Sequence, residues 1–81
     1  MDKTNIFNMI KTKIVEVLPE LENQEIKPTQ SLKELGANSI DRLDISQSSM
    51  EALGLNIPRM EFSGIENIQG LIDLFFKHLN K

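Results

Sequence analysis

Apolar residues recur at helical spacing in two stretches, one near each end of the chain. Residues 4–18 place an apolar side chain at every third or fourth position, and Pro19 ends this pattern because proline has no amide hydrogen to donate. The second stretch follows Asn67, a residue suited to cap a helix, and its apolar positions are Ile68, Leu71, Ile72, Phe75 and Leu79. Both stretches predict amphipathic helices. Phe75 lies at the centre of the second apolar face, and Phe76 lies about 100° around the helix from it.

A third helix is predicted between Asn38 and Gly54. Asn38 suits the N-cap position, Asp41 follows three residues later in the first turn, and Gly54 suits the end of the helix. We expect the buried face of this helix to contain Ile40, Leu43, Met50 and Leu53. A polar run at residues 46–49 interrupts that face with serines, which are weak helix formers.

The connection between the first two helices is long. Residues 19–31 contain two prolines and no periodicity, which predicts a loop that Ile26 tethers to the core. Ser31 and Glu34 have the spacing of a capping box at the start of a short helical turn, and Gly36 ends that turn.

The second connection is predicted to be extended at residues 55–58 and to form one helical turn at 60–62 before the last helix. No stretch shows the alternation that is typical of a strand. The predicted fold is therefore an all-α bundle of three main helices plus a short one before the last, with a long first loop. Residues 1–81 are too few for more than a single domain.

Composition excludes several classes of function. Lys and Arg total 9 and Asp and Glu total 12, so the formal net charge is 9 − 12 = −3, and Trp and Tyr are absent. Nucleic-acid binding is not expected, because it needs a basic surface and often aromatic stacking. There is no Cys and only one His, His78, which rules out thiolate metal sites and thiol catalysis. His78 lies near the end of the last helix, where it suits the helix dipole.

The chain has no apolar run near the roughly 20 residues that span a bilayer, and from its polar N-terminal residues we do not expect a signal peptide. We therefore expect a cytoplasmic protein without a membrane partner. The acidic residues are scattered and no catalytic set is evident. A core of this size also leaves little room for an enclosed active site, so a binding or carrier module is favoured over an enzyme.

Residues 35–41, Leu-Gly-Ala-Asn-Ser-Ile-Asp, place Ser39 in the first turn of the middle helix, directly after a glycine turn. A hydroxyl at this position is exposed, and the free N–H groups and the helix dipole stabilise an anion there. Ser39 therefore suits the attachment of a phosphodiester. A simple capping role for Ser39 or Asn38 explains the same residues, since both types are ordinary at helix starts.

The same seven residues resemble the attachment motif of acyl carrier proteins, Leu-Gly-x-Asp-Ser-Leu/Ile. The resemblance covers nearly the whole chain, including the spacing from Ser39 to Ile57 and Pro58. In that family the serine bears 4′-phosphopantetheine, whose terminal thiol carries acyl groups as thioesters. The resemblance implies that Ser39 is the attachment site and that the chain has no catalytic residues of its own.

Three residues depart from the family pattern. Asn38 replaces the usual Asp before the serine, Arg42 stands where the recognition helix is usually acidic or neutral, and Arg59 stands where fatty-acid carriers usually place an acid. Residues 39–53 contain three acids and one base, a net charge of 1 − 3 = −2, which is weaker than the acidic face of fatty-acid carriers. Because electrostatics governs partner choice, these departures imply different partners.

Residues 38–42, 55–59 and 67–68 resemble a narrower group, the discrete carriers of bacterial polyketide β-branching cassettes. These carriers are donors: an acetyl group formed from malonyl by a decarboxylase passes to an HMG-CoA-synthase-like enzyme. Acceptor carriers of those pathways typically have Trp six residues past the serine. This chain has Ile45 there, which fits a donor better.

This resemblance implies a monomer whose partners are a phosphopantetheinyl transferase, an acyltransferase, a decarboxylase and an HMG-CoA-synthase-like enzyme. It places the contact surface at Asn38, Ile40, Asp41, Arg42, Asp44, Gln47, Ile57, Arg59 and Met60, around Ser39. Two alternatives stay open. One is a carrier of fatty-acid, D-alanyl or nonribosomal-peptide assembly, and the other is a helical interaction module in which Ser39 is never modified.

Overall fold

The computed structural model describes residues 1–80 and contains three α-helices: α1 (Lys3–Val17), α2 (Ser39–Leu53) and α3 (Ile68–Leu79). Two short 3-10 turns lie at Pro19–Leu21 and Arg59–Phe62, and no strand occurs within residues 1–80. The predicted all-α arrangement, with a short helical element before the last helix, is confirmed. No helix in this part of the chain is long and apolar enough to cross a bilayer.

The core is built around α1, which packs against both α2 and α3. The predicted apolar faces of α1 and α3 are confirmed, with complete burial of Ile6, Ile10, Ile14, Ile68 and Phe75. The ring of Phe75 meets that of Phe62 edge to face, with centroids 6.3 Å apart. Phe76 is only half-buried and packs beside the ammonium group of Lys3, 5.2 Å from the ring centroid.

The long loop is fixed to the bundle by side chains and by its backbone. Leu21, Ile26 and Leu32 are buried, which confirms Ile26 as a tether. The first two amides of α3, those of Ile68 and Gln69, donate to loop carbonyls at 3.0 and 2.8 Å. Helix starts leave such donors without intrahelical acceptors, so the loop completes the start of α3.

The buried face of α2 differs from the prediction. Ile45 and Ser49 are buried, whereas Ile40 is 70 % and Leu43 is 49 % exposed. Leu43 lies about 160° around the helix from Ile45, so the two cannot face α1 together. The Ser49 hydroxyl donates to the Ile45 carbonyl at 2.7 Å, and this bond lets a polar residue occupy the core. The other two predicted residues, Met50 and Leu53, are partly buried against the core.

The second 3-10 turn is joined to α3 by a polar contact. His78 Nε2 lies 2.7 Å from Glu61 Oε1, and the His78 side chain is largely buried. His78 thus has a defined partner in addition to its place near the C-terminus of α3. The contact fixes the segment that carries Arg59 and Met60 against the last helix.

Candidate functional site: a serine at the start of helix α2

The chain segment before α2 determines where the helix begins. Gly36 adopts a positive φ of 102°, a conformation that suits glycine, and Ala37 is buried. Asn38 Oδ1 accepts from the Asp41 amide at 2.8 Å, and Asp41 Oδ2 accepts from the Asn38 amide at 3.2 Å. These two bonds form a reciprocal capping box, which confirms Asn38 as the N-cap.

Ser39 is the first residue of α2 and is exposed. Because Asn38 supplies the cap, the Ser39 hydroxyl is not used to satisfy the helix start. Its oxygen instead accepts a hydrogen bond from Arg42 Nη2 at 3.2 Å. The capping role that sequence alone allowed for either residue therefore belongs to Asn38, and Ser39 presents its hydroxyl beside a guanidinium group.

A groove of about 400 Å³ begins at Ser39 and runs between α2 and the second 3-10 turn. One wall comes from α2 and the other from the connector and the turn. Its lining residues are Ser39, Arg42, Leu43, Ser46, Gln47, Met50, Ile57, Arg59 and Phe62. The groove thus combines an apolar floor with two arginines and the exposed serine.

The structure brings together only part of the predicted contact surface. Ser39, Arg42, Gln47, Ile57 and Arg59 share the groove. The remaining predicted residues lie outside its lining: Asn38, Ile40, Asp41, Asp44 and Met60.

Exposure also separates these residues. Ile40 and Met60 are 70 % and 80 % exposed, whereas Ile57 is only 4 % exposed and belongs to the core. The contact role of Ile57 stays a prediction, although its connector packs most of this side chain into the bundle. Ile57 forms the floor of the groove.

Sequence reasoning missed four residues of the groove: Leu43, Ser46, Met50 and Phe62. Leu43 and Met50 belong to the apolar face of α2 that the sequence pattern predicts to be buried. The spacing of Ser39, Leu43 and Ser46 at three to four residues is the signal that could have found them, because it puts all three on one side of the helix.

Within residues 1–80 no cluster of three histidine or acidic side chains could hold a metal ion. The site offers a hydroxyl, a guanidinium group and a half-apolar groove, and these features suit the attachment of an anionic group.

Comparison with known proteins agrees with this class of site. The family pattern described as the phosphopantetheine attachment site matches residues 9–75. The chain therefore belongs to the family of acyl carrier proteins and related phosphopantetheine-bearing domains.

Among particular proteins, the chain is similar to the polyketide biosynthesis acyl-carrier-protein AcpK of Bacillus subtilis (strain 168). The two are 46 % identical over 76 residues, which cover 94 % of this chain and 93 % of AcpK. An acyl carrier protein of Guillardia theta is 30 % identical over 73 residues, or 90 % of each chain.

A solved structure is also similar: a chain in the crystal structure of the curacin-pathway HMG synthase in complex with its acetyl donor acyl carrier protein. The identity is 47 % and the TM-score is 0.86, over 93 % of this chain and 96 % of that chain. The helical bundle predicted from the apolar pattern is therefore the acyl-carrier fold.

Proposed function

We propose that this protein carries an acetyl group as a thioester on 4′-phosphopantetheine attached to Ser39, and presents it to an HMG-CoA-synthase-like enzyme. The observation that carries the proposal is the position of the Ser39 hydroxyl. It is exposed at the first residue of α2, it is free of any capping role, and it opens onto the groove.

The residues around Ser39 fit a phosphodiester-linked arm. The first-turn amides of α2 and the positive end of its dipole favour an anion at the hydroxyl. Arg42 adds a full positive charge within hydrogen-bond distance of the same oxygen. When bound, the group supplies the thiol that this cysteine-free chain lacks.

Attachment requires coenzyme A and a phosphopantetheinyl transferase. The Ser39 oxygen gives up its proton and forms a bond to the phosphorus next to the pantetheine. The pyrophosphate bond of coenzyme A breaks, and adenosine 3′,5′-bisphosphate leaves. This chain contributes the oxygen and its surroundings, and the transferase contributes the catalysis.

The test of attachment is the intact mass after incubation with a phosphopantetheinyl transferase and coenzyme A. We expect the wild type to gain one phosphopantetheine and Ser39→Ala to gain none. Ser39→Ala should keep its helical circular dichroism, because Ser39 is exposed and Asn38 still caps α2. Ser48→Ala is a matched serine variant in the same helix and should be modified normally. Modification of Ser39→Ala would exclude Ser39 as the attachment site.

The proposed partner is supported by the similar crystal structure. Because that match covers more than nine tenths of both chains, the matched chain is of carrier size. Ile40 and Leu43 are exposed on α2 within four residues of Ser39, and Met60 is exposed on the second 3-10 turn next to Arg59. Exposed apolar side chains beside two arginines suit a partner surface that is apolar with an acidic rim.

Exchange of Arg42 and Arg59 for Glu tests this partner. Both side chains are exposed, so the double variant should fold and should still be modified on prolonged incubation. Exposed ion pairs contribute about 0.2–1 kcal/mol each, so the loss of two such pairs should slow acetyl transfer to the HMG-synthase-like enzyme by about 2- to 30-fold. The wild-type rate should fall as salt is raised. Wild-type transfer by the double variant at low salt would contradict recognition through these arginines.

A further inference from the structure

We propose that Arg42 binds the phosphodiester that joins the arm to Ser39, and so holds the root of the arm against helix α2 in the free carrier. The inference rests on the proposed attachment at Ser39. It concerns the carrier alone, before any enzyme partner is present.

The contact begins from the geometry of the unmodified serine. Arg42 lies three residues after Ser39, on the same side of the helix, and long helical side chains lean toward the N-terminus. Arg42 Nη2 is 3.2 Å from Ser39 Oγ, and Arg42 Nε is 3.4 Å from the Asn38 carbonyl oxygen. The guanidinium group is thus already held over the first turn of α2.

The charge of Arg42 is available for a new partner. Among residues 1–80, no carboxylate lies within ion-pairing distance of its guanidinium group. Its two neutral contacts use only part of the five N–H donors that the group offers. A phosphate oxygen can therefore bind without displacing an existing ion pair.

Modification of Ser39 places negative charge at this position. The serine oxygen becomes an ester oxygen, and the charge lies on the non-bridging oxygens of the phosphorus bonded to it. Arginine suits such oxygens because its planar donors can make two parallel hydrogen bonds. The carboxylate of Asp41 lies in the same first turn, where it accepts from the Asn38 amide, and the Arg42 charge would offset part of its repulsion of the phosphodiester.

Arg59 provides a contrast within the same groove. It lines the groove with Arg42, but no hydrogen bond joins it to Ser39 in the described part of the chain. A general effect of positive charge on the arm would involve both arginines, whereas a direct bond to the phosphodiester involves Arg42.

The experiment compares modified and unmodified forms of each variant without a partner enzyme. Wild type, Arg42→Gln, Arg42→Lys and Arg59→Gln are converted fully, as checked by intact mass, and their thermal midpoints and phosphorus-31 shifts are recorded at low and high salt. Modification should change the thermal midpoint more favourably in the wild type than in Arg42→Gln. The difference between the two changes should be a few degrees, because exposed charge pairs have effects of this size in small domains. The difference should shrink at high salt.

The phosphorus-31 shift should change in Arg42→Gln and remain as in wild type in Arg59→Gln. Arg42→Lys should give an intermediate result, because it keeps the charge without the planar donors, and it serves as the test if Arg42→Gln resists modification. Equal effects of modification in all four proteins would overturn the inference. If Arg42→Gln and Arg59→Gln reduced the effect of modification on the thermal midpoint equally, the inference would also be overturned, since this would show a general charge effect. Failure of wild-type modification would instead overturn the attachment at Ser39.

Discussion

The pair α1–α3 and the helix α2 use their apolar residues differently. The apolar stripes of α1 and α3 point into the core, with Ile6, Ile10 and Phe75 completely buried. Helix α2 buries Ile45 and leaves Ile40 and Leu43 exposed beside the candidate attachment serine. All three helices therefore contribute to the core, and α2 in addition keeps apolar residues available for a partner.

The largest expected effect tests the buried apolar face of α3. Phe75→Ala should cost about 3–5 kcal/mol, a large part of the total of about 5–15 kcal/mol that stabilises a small domain. The cause is the loss of a completely buried ring and of its edge contact with Phe62. Urea unfolding followed by circular dichroism gives the measurement.

Phe76→Ala is the matched control, because the same residue type lies one position along α3. Its ring is half-buried beside Lys3, so truncation should cost clearly less. Equal unfolding midpoints for the two variants would mean that the buried face of α3 is assigned wrongly.

The next effect concerns α2 itself. Ile45→Ala should cost about 2–5 kcal/mol because it leaves a cavity against α1. Leu43→Ala, only two residues away, removes a half-exposed side chain and should cost about 0.5 kcal/mol or less. A larger loss in Leu43→Ala than in Ile45→Ala, in the same urea experiment, would restore the buried face that the sequence pattern predicted.

The three helices also differ in how well the sequence pattern predicts their buried faces. The stripes of α1 and α3 follow from the sequence because the periodic apolar positions on each helix are buried or partly buried against the core. Helix α2 was misread because apolar residues occur on two sides, one facing α1 and one facing solvent, and because a buried serine interrupts the inner face. A hydrophobic pattern cannot predict the burial of Ser49, because serine is polar. Its burial is explained by the hydrogen bond from its hydroxyl to the Ile45 carbonyl.

The candidate site was predicted at the level of the motif rather than of its surroundings. The capping residues Asn38 and Asp41 follow from local spacing, and both bonds are present. The groove could not be predicted, because its second wall comes from Ile57, Arg59 and Phe62, and their distance from α2 depends on how the connector packs. The contact of Arg42 with Ser39 likewise depends on a side-chain conformation that no sequence pattern specifies.

The smallest expected effect lies at the surface between α1 and α3. Asp73 accepts from Gln69 at 2.9 Å and pairs with Lys3 at 3.0 Å, with both charged side chains about half-exposed. The hydrogen bond from Gln69 and then the contact with Lys3 lower the pKa of Asp73 below its usual range. The folded state therefore favours the charged carboxylate.

Linkage gives the sign of the pH dependence. Because the pKa of Asp73 is lower in the folded state, its stabilising contribution is present above the unfolded value of about 3.9 and is lost as pH falls through the folded value. Asp73→Asn should lower the free energy of unfolding at pH 7 by about 0.2–1 kcal/mol, and the loss should shrink at high salt and at low pH. Asp44→Asn is the control for loss of one negative charge, because it removes a carboxylate from α2, where no ion pair forms within residues 1–80. An equal loss of stability at pH 7 in the two variants would mean that the Lys3–Asp73 contact adds nothing to the α1–α3 pair beyond the buried stripes.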